Sequence, residues 1–191
     1  MRRTTMLVVC TLVLALSAGY AAAQATPPAD TLKIDYFANA NTAGAPDATV
    51  RMTNPGTAGG NLCAAIYVVD PSQELSECCS CLLSPDGLRT LSVNTDLTSN
   101  ALTGVSLTTG AIKIVSTPPI GGACPLPKTL NPKAGIRAWA THIQNSNFTI
   151  TETASQDATL SSTEVVHLEK ECAAVALDGS GKGVCTCGTG D

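Results

Sequence analysis

The sequence predicts a mainly β protein: a disulfide-stapled, immunoglobulin-like β-sandwich closed by one C-terminal α-helix, with a small β-barrel as the alternative. Three observations carry this. Roughly seven short segments either alternate apolar with polar residues or run apolar throughout, and turn residues separate them. Eight cysteines follow the first 23 residues, among them the tight groups Glu77-Cys78-Cys79-Ser80-Cys81 and Cys185-Thr186-Cys187. Near the end, residues 161–178 have a helical period with a signal at each terminus.

Residues 1–23 read as a signal peptide. Arg2 and Arg3 precede an apolar run from Met6 to Gly19, and Ala21-Ala22-Ala23 supplies small residues before a cleavage point at Gln24. The run is about 14 residues, short of the roughly 20 that a spanning helix needs, so no transmembrane segment is expected in the mature chain. Cys10 lies inside the run behind Val8 and Val9, which does not suit lipid attachment. Residues 24–30, "QATPPAD", form a flexible spacer, and residues 31–191 a single domain. The expected location is secreted, periplasmic or cell surface, where thiols oxidise. Cleavage leaves nine basic residues against fifteen acidic ones. That balance disfavours nucleic acid and anionic membrane surfaces as partners.

The elements follow in order. "TLKIDYF" alternates Leu32, Ile34 and Tyr36 against Lys33 and Asp35, a strand period. "ATVRMTNPG" reads as a strand ended by Asn54-Pro55-Gly56, and "NLCAAIYVVD" as a central strand, apolar on both faces, that buries Cys63. Asp70-Pro71 fits a helix N-cap with proline at the first helical position, so "PSQELSE" is predicted as a short helix leading into the cysteine cluster. "LRTLSV" is a strand, "NTDLTSNALTG" a polar connection, and "VSLTTGAIKIV" one strand or a Gly-broken pair. Residues 117–135 form a long Pro/Gly loop that Cys124 would pin. "GIRAWATHI" sets Ile136, Ala138, Ala140 and His142 on one face and Arg137, Trp139, Thr141 and Ile143 on the other; "NFTITET" alternates again. In the final helix Ser161 and Glu164 form a capping box, Leu160 and Val165 a staple, and Gly179 the stop; Val165, Leu168, Cys172, Val175 and Ala176 share a face.

The cysteines admit several chemistries. An even number in an exported chain favours structural disulfides for Cys63, Cys78, Cys79, Cys81, Cys124, Cys172, Cys185 and Cys187, with the pairing open. Zinc knuckles use Cys-x2–4-Cys pairs; Cys78 and Cys81 fit, but Cys185-x-Cys187 is too tight, so no metal is expected. A redox Cys-x-x-Cys needs a thiol activated by a cation or helix N-terminus, and Glu74 and Glu77 are the wrong neighbours. A vicinal Cys78–Cys79 bond is strained, so separate partners are expected, among them the final helix or the Cys185/Cys187 pair. "GSGKG" after a helix lacks phosphate-loop spacing and reads as a turn. His142 and His167 read as structural or solvated, Glu74 and Glu77 as facing water, and Asn147-Phe-Thr149 as a formal glycosylation sequon. No cofactor is expected.

The stretches "TVRMTNPGTAGGNLCAAIYVVDPSQELSECCSC", "GLRTLSVNTDLTSN" and "LSSTEVVHLEKECAAV", leading into "GSGKGVCTCG", resemble a group of predicted secreted bacterial proteins of unassigned function. The resemblance spans most of the mature chain. It implies a shared cysteine framework and a bacterial origin, supplies no activity, and lets no functional residue be carried over. The expected function is therefore a non-enzymatic secreted or cell-surface structural or binding protein, partnered by itself or by another surface protein. In the self-assembling version, Leu32, Ile34 and Tyr36 add a strand to a neighbour's sheet edge; otherwise the segment is the first strand of its own domain. The alternative function is metal binding or thiol redox at the two cysteine groups. A carboxylate hydrolase would have only Glu74, Glu77 and Glu152 to use.

Overall fold

The computed structural model describes residues 30–179 and 182–188. The signal peptide and all but the last residue of the spacer lie outside them. Nine strands follow one another as β1 (Leu32–Phe37), β2 (Thr49–Thr53), β3 (Leu62–Val69), β4 (Leu75–Leu83), β5 (Leu88–Ser92), β6 (Gly110–Thr117), β7 (Arg137–Gln144), β8 (Thr149–Ala154) and β9 (Gln156–Ala158). A short helix α1 (Val93–Asp96) follows β5, and α2 (Ser162–Asp178) closes the chain. The strands form two separate antiparallel sheets, ordered β4-β3-β6-β1-β9 and β5-β2-β7-β8, so the fold is the sandwich and not the barrel.

The apolar run of β3 explains the layering. Leu62, Ala64, Ile66 and Val68 enter the core between the sheets, with Val50, Met52, Leu91, Ile112, Ile114, Ile136 and Ala140. The alternate residues Ala65, Tyr67 and Val69 face a second cluster with Leu168, Cys172 and Val175 of α2. A strand covered on both sides needs no polar face. Helix, five-stranded sheet and four-stranded sheet thus form three layers, and nothing among the described residues provides a fourth.

The terminal helix is built as its sequence predicts, with one substitution of roles. Ser161 Oγ accepts from the Glu164 N–H (3.1 Å), but the Glu164 carboxylate turns away from the cap and takes Lys113 Nζ of β6 (2.6 Å). The capping box is therefore half made, and its acid ties the helix to the sheet. Gly179 caps the other end, its N–H donating to Val175 O (2.9 Å).

Several expectations need correction. "PSQELSE" is not a helix: Asp70 to Glu74 is the turn of the β3–β4 hairpin, and Leu75 already begins β4. Asp70 Oδ1 accepts from the N–H groups of Ser72 (2.8 Å) and Glu74 (3.0 Å), and Gln73 takes φ 71°, a conformation no helix interior contains. The capping chemistry was real, but it serves a turn, because pairing with β3 buries far more than a two-turn helix would. The predicted strand "LRTLSV" ends at Ser92, which caps α1; the helix starts at Val93 and runs into the "NTDLTSNALTG" connection, and Val93 and Leu97 are buried. Residues 105–109 are loop, so β6 starts only at Gly110, and Phe148, at φ 52°, is in a turn ahead of β8. The alternation of β7 lapses at its end, where His142 and Ile143 are both buried; Ile143 joins the core, against which Ala45 and Phe148 pack.

Close approach makes one glycine indispensable. Gly183 takes φ 80°, and a Cβ there would lie 2.5 Å from Val175 Cγ1 and 3.0 Å from the Ser76 carbonyl oxygen. Gly183→Ala is expected to cost roughly 2–3 kcal/mol in urea unfolding of the oxidised protein, since both backbone strain and overpacking oppose it.

Candidate functional site

Strand geometry assigns the partners of the clustered cysteines. Alternation along β4 turns Cys79 and Cys81 into the core between the sheets and Cys78 towards the helix layer. Cys78 bonds Cys172 of α2, Cys79 bonds Cys185 and Cys81 bonds Cys187; Cys63 of β3 bonds Cys124 in the long loop. Residues 183–187 run beside β4 in parallel. The Gly183 carbonyl accepts from Cys78 N–H (2.9 Å), Cys185 N–H donates to Cys78 O (3.3 Å), and Cys78 bridges Val184. The spacing of Cys185-Thr186-Cys187 that is too tight for a zinc knuckle is the two-residue period of a strand laid against another. It also covers the edge of the sheet, where exposed backbone groups would invite another strand. The sulfurs of Cys79, Cys81 and Cys187 lie within 4.8 Å of one another, held as disulfide sulfur.

Beside this junction sits a carboxyl that was expected in water. Glu77 is 3% exposed, on the strand that carries the three cysteines. Burial pushes its pKa up to about 8; hydrogen bonds from the Ser99 backbone and hydroxyl pull against this, and the charge of Asp96 adds to the rise. Its Oε2 has no hydrogen-bond partner among the described residues. Asp96 itself accepts from Ser92 N–H (2.8 Å) and from Thr186 Oγ1 (2.5 Å), which ties the tail to α1. Glu74 stands exposed in the hairpin turn, and Glu152 is exposed on β8. The three carboxylates a hydrolase would need are thus spread over a turn, the interior and the far sheet.

The remaining sequence candidates have structural surroundings. His142 is buried, stacked on Tyr36 with ring centroids 4.2 Å apart. Its Nδ1 lies 3.1 Å from the Tyr36 carbonyl oxygen, to which it donates, and its Nε2 lies 2.8 Å from Thr153 Oγ1 and 3.4 Å from the buried Asp35 carboxylate. His167 is exposed, 4.0 Å from Glu171. Strand β1, with Leu32, Ile34 and Tyr36, lies inside its own sheet, paired with β6 along its length and with β9 from Leu32 to Ile34. The long loop after β6 walls a cavity of about 280 Å³ with Pro118, Pro119, Ile120, Pro125, Pro127 and Leu130, over Cys63 and Ser80. Tyr67 Oη donates to Pro127 O (3.0 Å) and Leu130 N–H to Glu169 Oε1 (2.6 Å), so the loop is held by the sheet and the helix as well as by its disulfide.

The outer face of the four-stranded sheet was overlooked as a site. Register aligns Ser92, Thr49, Thr141 and Glu152 in one row across β5, β2, β7 and β8, and Thr90, Arg51, Trp139 and Ala154 in the next. Thr49 and Thr141 share a hydrogen bond (3.0 Å), and Arg51 crosses β7 to pair with Glu152 (2.6 Å). Trp139, the single tryptophan of the sequence, stands in this grid of hydroxyls, with Arg51 on one side and only the methyl of Ala154 on the other. Arg137, two residues away on the same face, is exposed. The sequence contained a signal for this: the one Trp falls on the Arg/Thr side of an alternating strand, where the core has no call on it.

Comparison with protein-family models, with curated proteins and with solved structures finds no match to this chain. Among the described residues no helix is long and apolar enough to cross a membrane.

Proposed function

We propose that this is a secreted or cell-surface protein without enzymatic activity, a disulfide-locked sandwich of immunoglobulin-like kind that works by binding or by assembly. The observation that carries this is the use of its cysteines: all eight in the described residues close four disulfides, and three of these converge on β4. Such a framework suits an oxidising compartment and holds a surface rigid for a partner. Assembly by strand addition would require β1 to leave β6 and β9 and join a second copy, as in domain exchange. Sedimentation of the exported full chain over a range of concentrations tests that version: a dimer or larger species supports it, and a strictly monomeric protein sinks it.

A second reading rests on the proximity of the Cys79, Cys81 and Cys187 sulfurs. In a reduced chain, these with Cys185 would offer a thiolate set for zinc or copper. Intact mass spectrometry with thiol counting on the exported protein separates the two. No free thiol and no metal are expected; four or more free thiols with stoichiometric zinc or copper would favour the second reading. Fractionation of the producing cells should place the protein with surface material or in the medium.

A further inference from the structure

We infer that the outer face of the four-stranded sheet binds acidic polysaccharide, with the Trp139 ring stacking on a sugar ring and Arg137 taking its carboxylate. The inference rests on the binding-protein reading and names its ligand.

The face is the one side of the sandwich left open among the described residues, since the other sheet is covered by α2. Leu88 and Ile150 are exposed on its two outer strands, but the rows around Trp139 are polar. Thr49, Thr90, Thr141 and Ser92 line the rows around Trp139; Thr49 and Thr141 bond each other and Ser92 bonds Asp47, and these short hydroxyls retain acceptor capacity towards a sugar chain. The aromatic face, negative in its quadrupole, attracts the polarised C–H groups of a pyranose ring, and a planar indole loses little freedom in doing so. Trp139 is half-buried, and its neighbour on the edge strand, Ala154, adds only a methyl on that side.

Charge selects the class of sugar. The face carries Arg51 and Arg137 against Glu152, with Asp47 and Asp96 at its far end, so its attraction for an anion is local to the Arg137 end and not a property of the whole face. Glu152 is committed to Arg51. Asp157, the acid whose carboxyl feels Arg137, is already ion-paired with Lys33. One guanidinium next to the ring is thus left to pair with an external anion, and its planar fork fits a carboxylate in two-point fashion. The acids Asp47 and Asp96 hold Ser92 at the opposite end of the face, which orients an acidic chain towards the Arg137 end.

The test uses the full exported chain, whose only tryptophan makes its fluorescence a direct report from the site. Titration with polygalacturonate should shift or quench that emission saturably, and the effect should weaken with added salt. Dextran, a neutral control, should bind more weakly. In affinity electrophoresis, Trp139→Ala should lose about tenfold in polygalacturonate binding, Trp139→Phe should keep most of it, and Arg137→Gln should lose the preference over dextran. Unchanged fluorescence with polygalacturonate, equal binding of dextran, or Trp139→Phe and Arg137→Gln behaving alike would each overturn the inference. A protein with four disulfides that travels with surface material but ignores polygalacturonate refutes the ligand alone. A reduced, metal-loaded chain refutes the reading beneath it.

Discussion

Replacing Cys79 and Cys185 by alanine in the otherwise oxidised protein should cost only about 2 kcal/mol, although the loop closed by that bridge spans 106 residues. An isolated crosslink over such a loop would contribute roughly 4–5 kcal/mol through the entropy it removes from the unfolded chain. Here Cys81–Cys187 closes the same two segments two residues further on, with the same separation of 106. While one bridge stands, the other closes only the small ring through Ser80 and Thr186. Removing both opens the path from Cys172 through the tail, and the loss should rise to about 5 kcal/mol, still well below twice the isolated value. The Cys78–Cys172 bridge follows the same logic. With the tail bridges intact its effective loop runs only from Cys172 to Cys185, so its removal should cost about 3 kcal/mol. Urea unfolding of the oxidised single and paired variants, arranged as a double-mutant cycle, measures this. Single losses near 5 kcal/mol would mean that the bridges act independently.

Glu77→Gln should stabilise the protein, and by more as pH rises. The folded carboxyl titrates near pH 8, against an ordinary value of 4.5. Below pH 4.5 both folded and unfolded chains hold the proton, and wild type and variant should be alike. Between 4.5 and 8 the unfolded chain releases its proton while the folded chain keeps it, so wild-type stability falls with pH by about 1.4 kcal/mol per unit. The deficit relative to Glu77→Gln should reach roughly 3 kcal/mol at pH 7 and flatten above pH 8. A difference that does not change between pH 4 and pH 8 would refute the buried, protonated state. The cause is geometric. Glu77 lies on the strand that carries the cysteines, and its carboxyl is buried beside Ser99 and Asp96, without the water its charge would need.

Much of the architecture was legible because it is written in short-range chemistry. The α2 cap at Ser161, the stop at Gly179 and the inward face of Leu168, Cys172 and Val175 all follow from a period and two terminal signals. The doubly apolar β3 and the pinned loop around Cys124 were equally readable, as was the assignment of Cys78 and Cys79 to different partners. The candidate site was less so. Trp139 could be placed on the polar side of its strand, but the partners that flank it, Arg51 and Ala154, come from strands more than ten residues away in either direction.

Asp70-Pro71 shows where local inference stops. The same side chain that caps a helix also closes a turn, and the choice went to the hairpin because β3 offered Leu75–Leu83 a pairing partner and a core. Glu77 met the same limit from the other side: polar in sequence, it is buried because the strand it belongs to is buried. Composition and periodicity were enough for the β class, the terminal helix and eight paired cysteines, since these depend on residues within a few positions of each other. Which sulfur meets which, which face stays open and which carboxyl loses its water depend on segments up to 106 residues apart, and those contacts exist only once the sheets have paired.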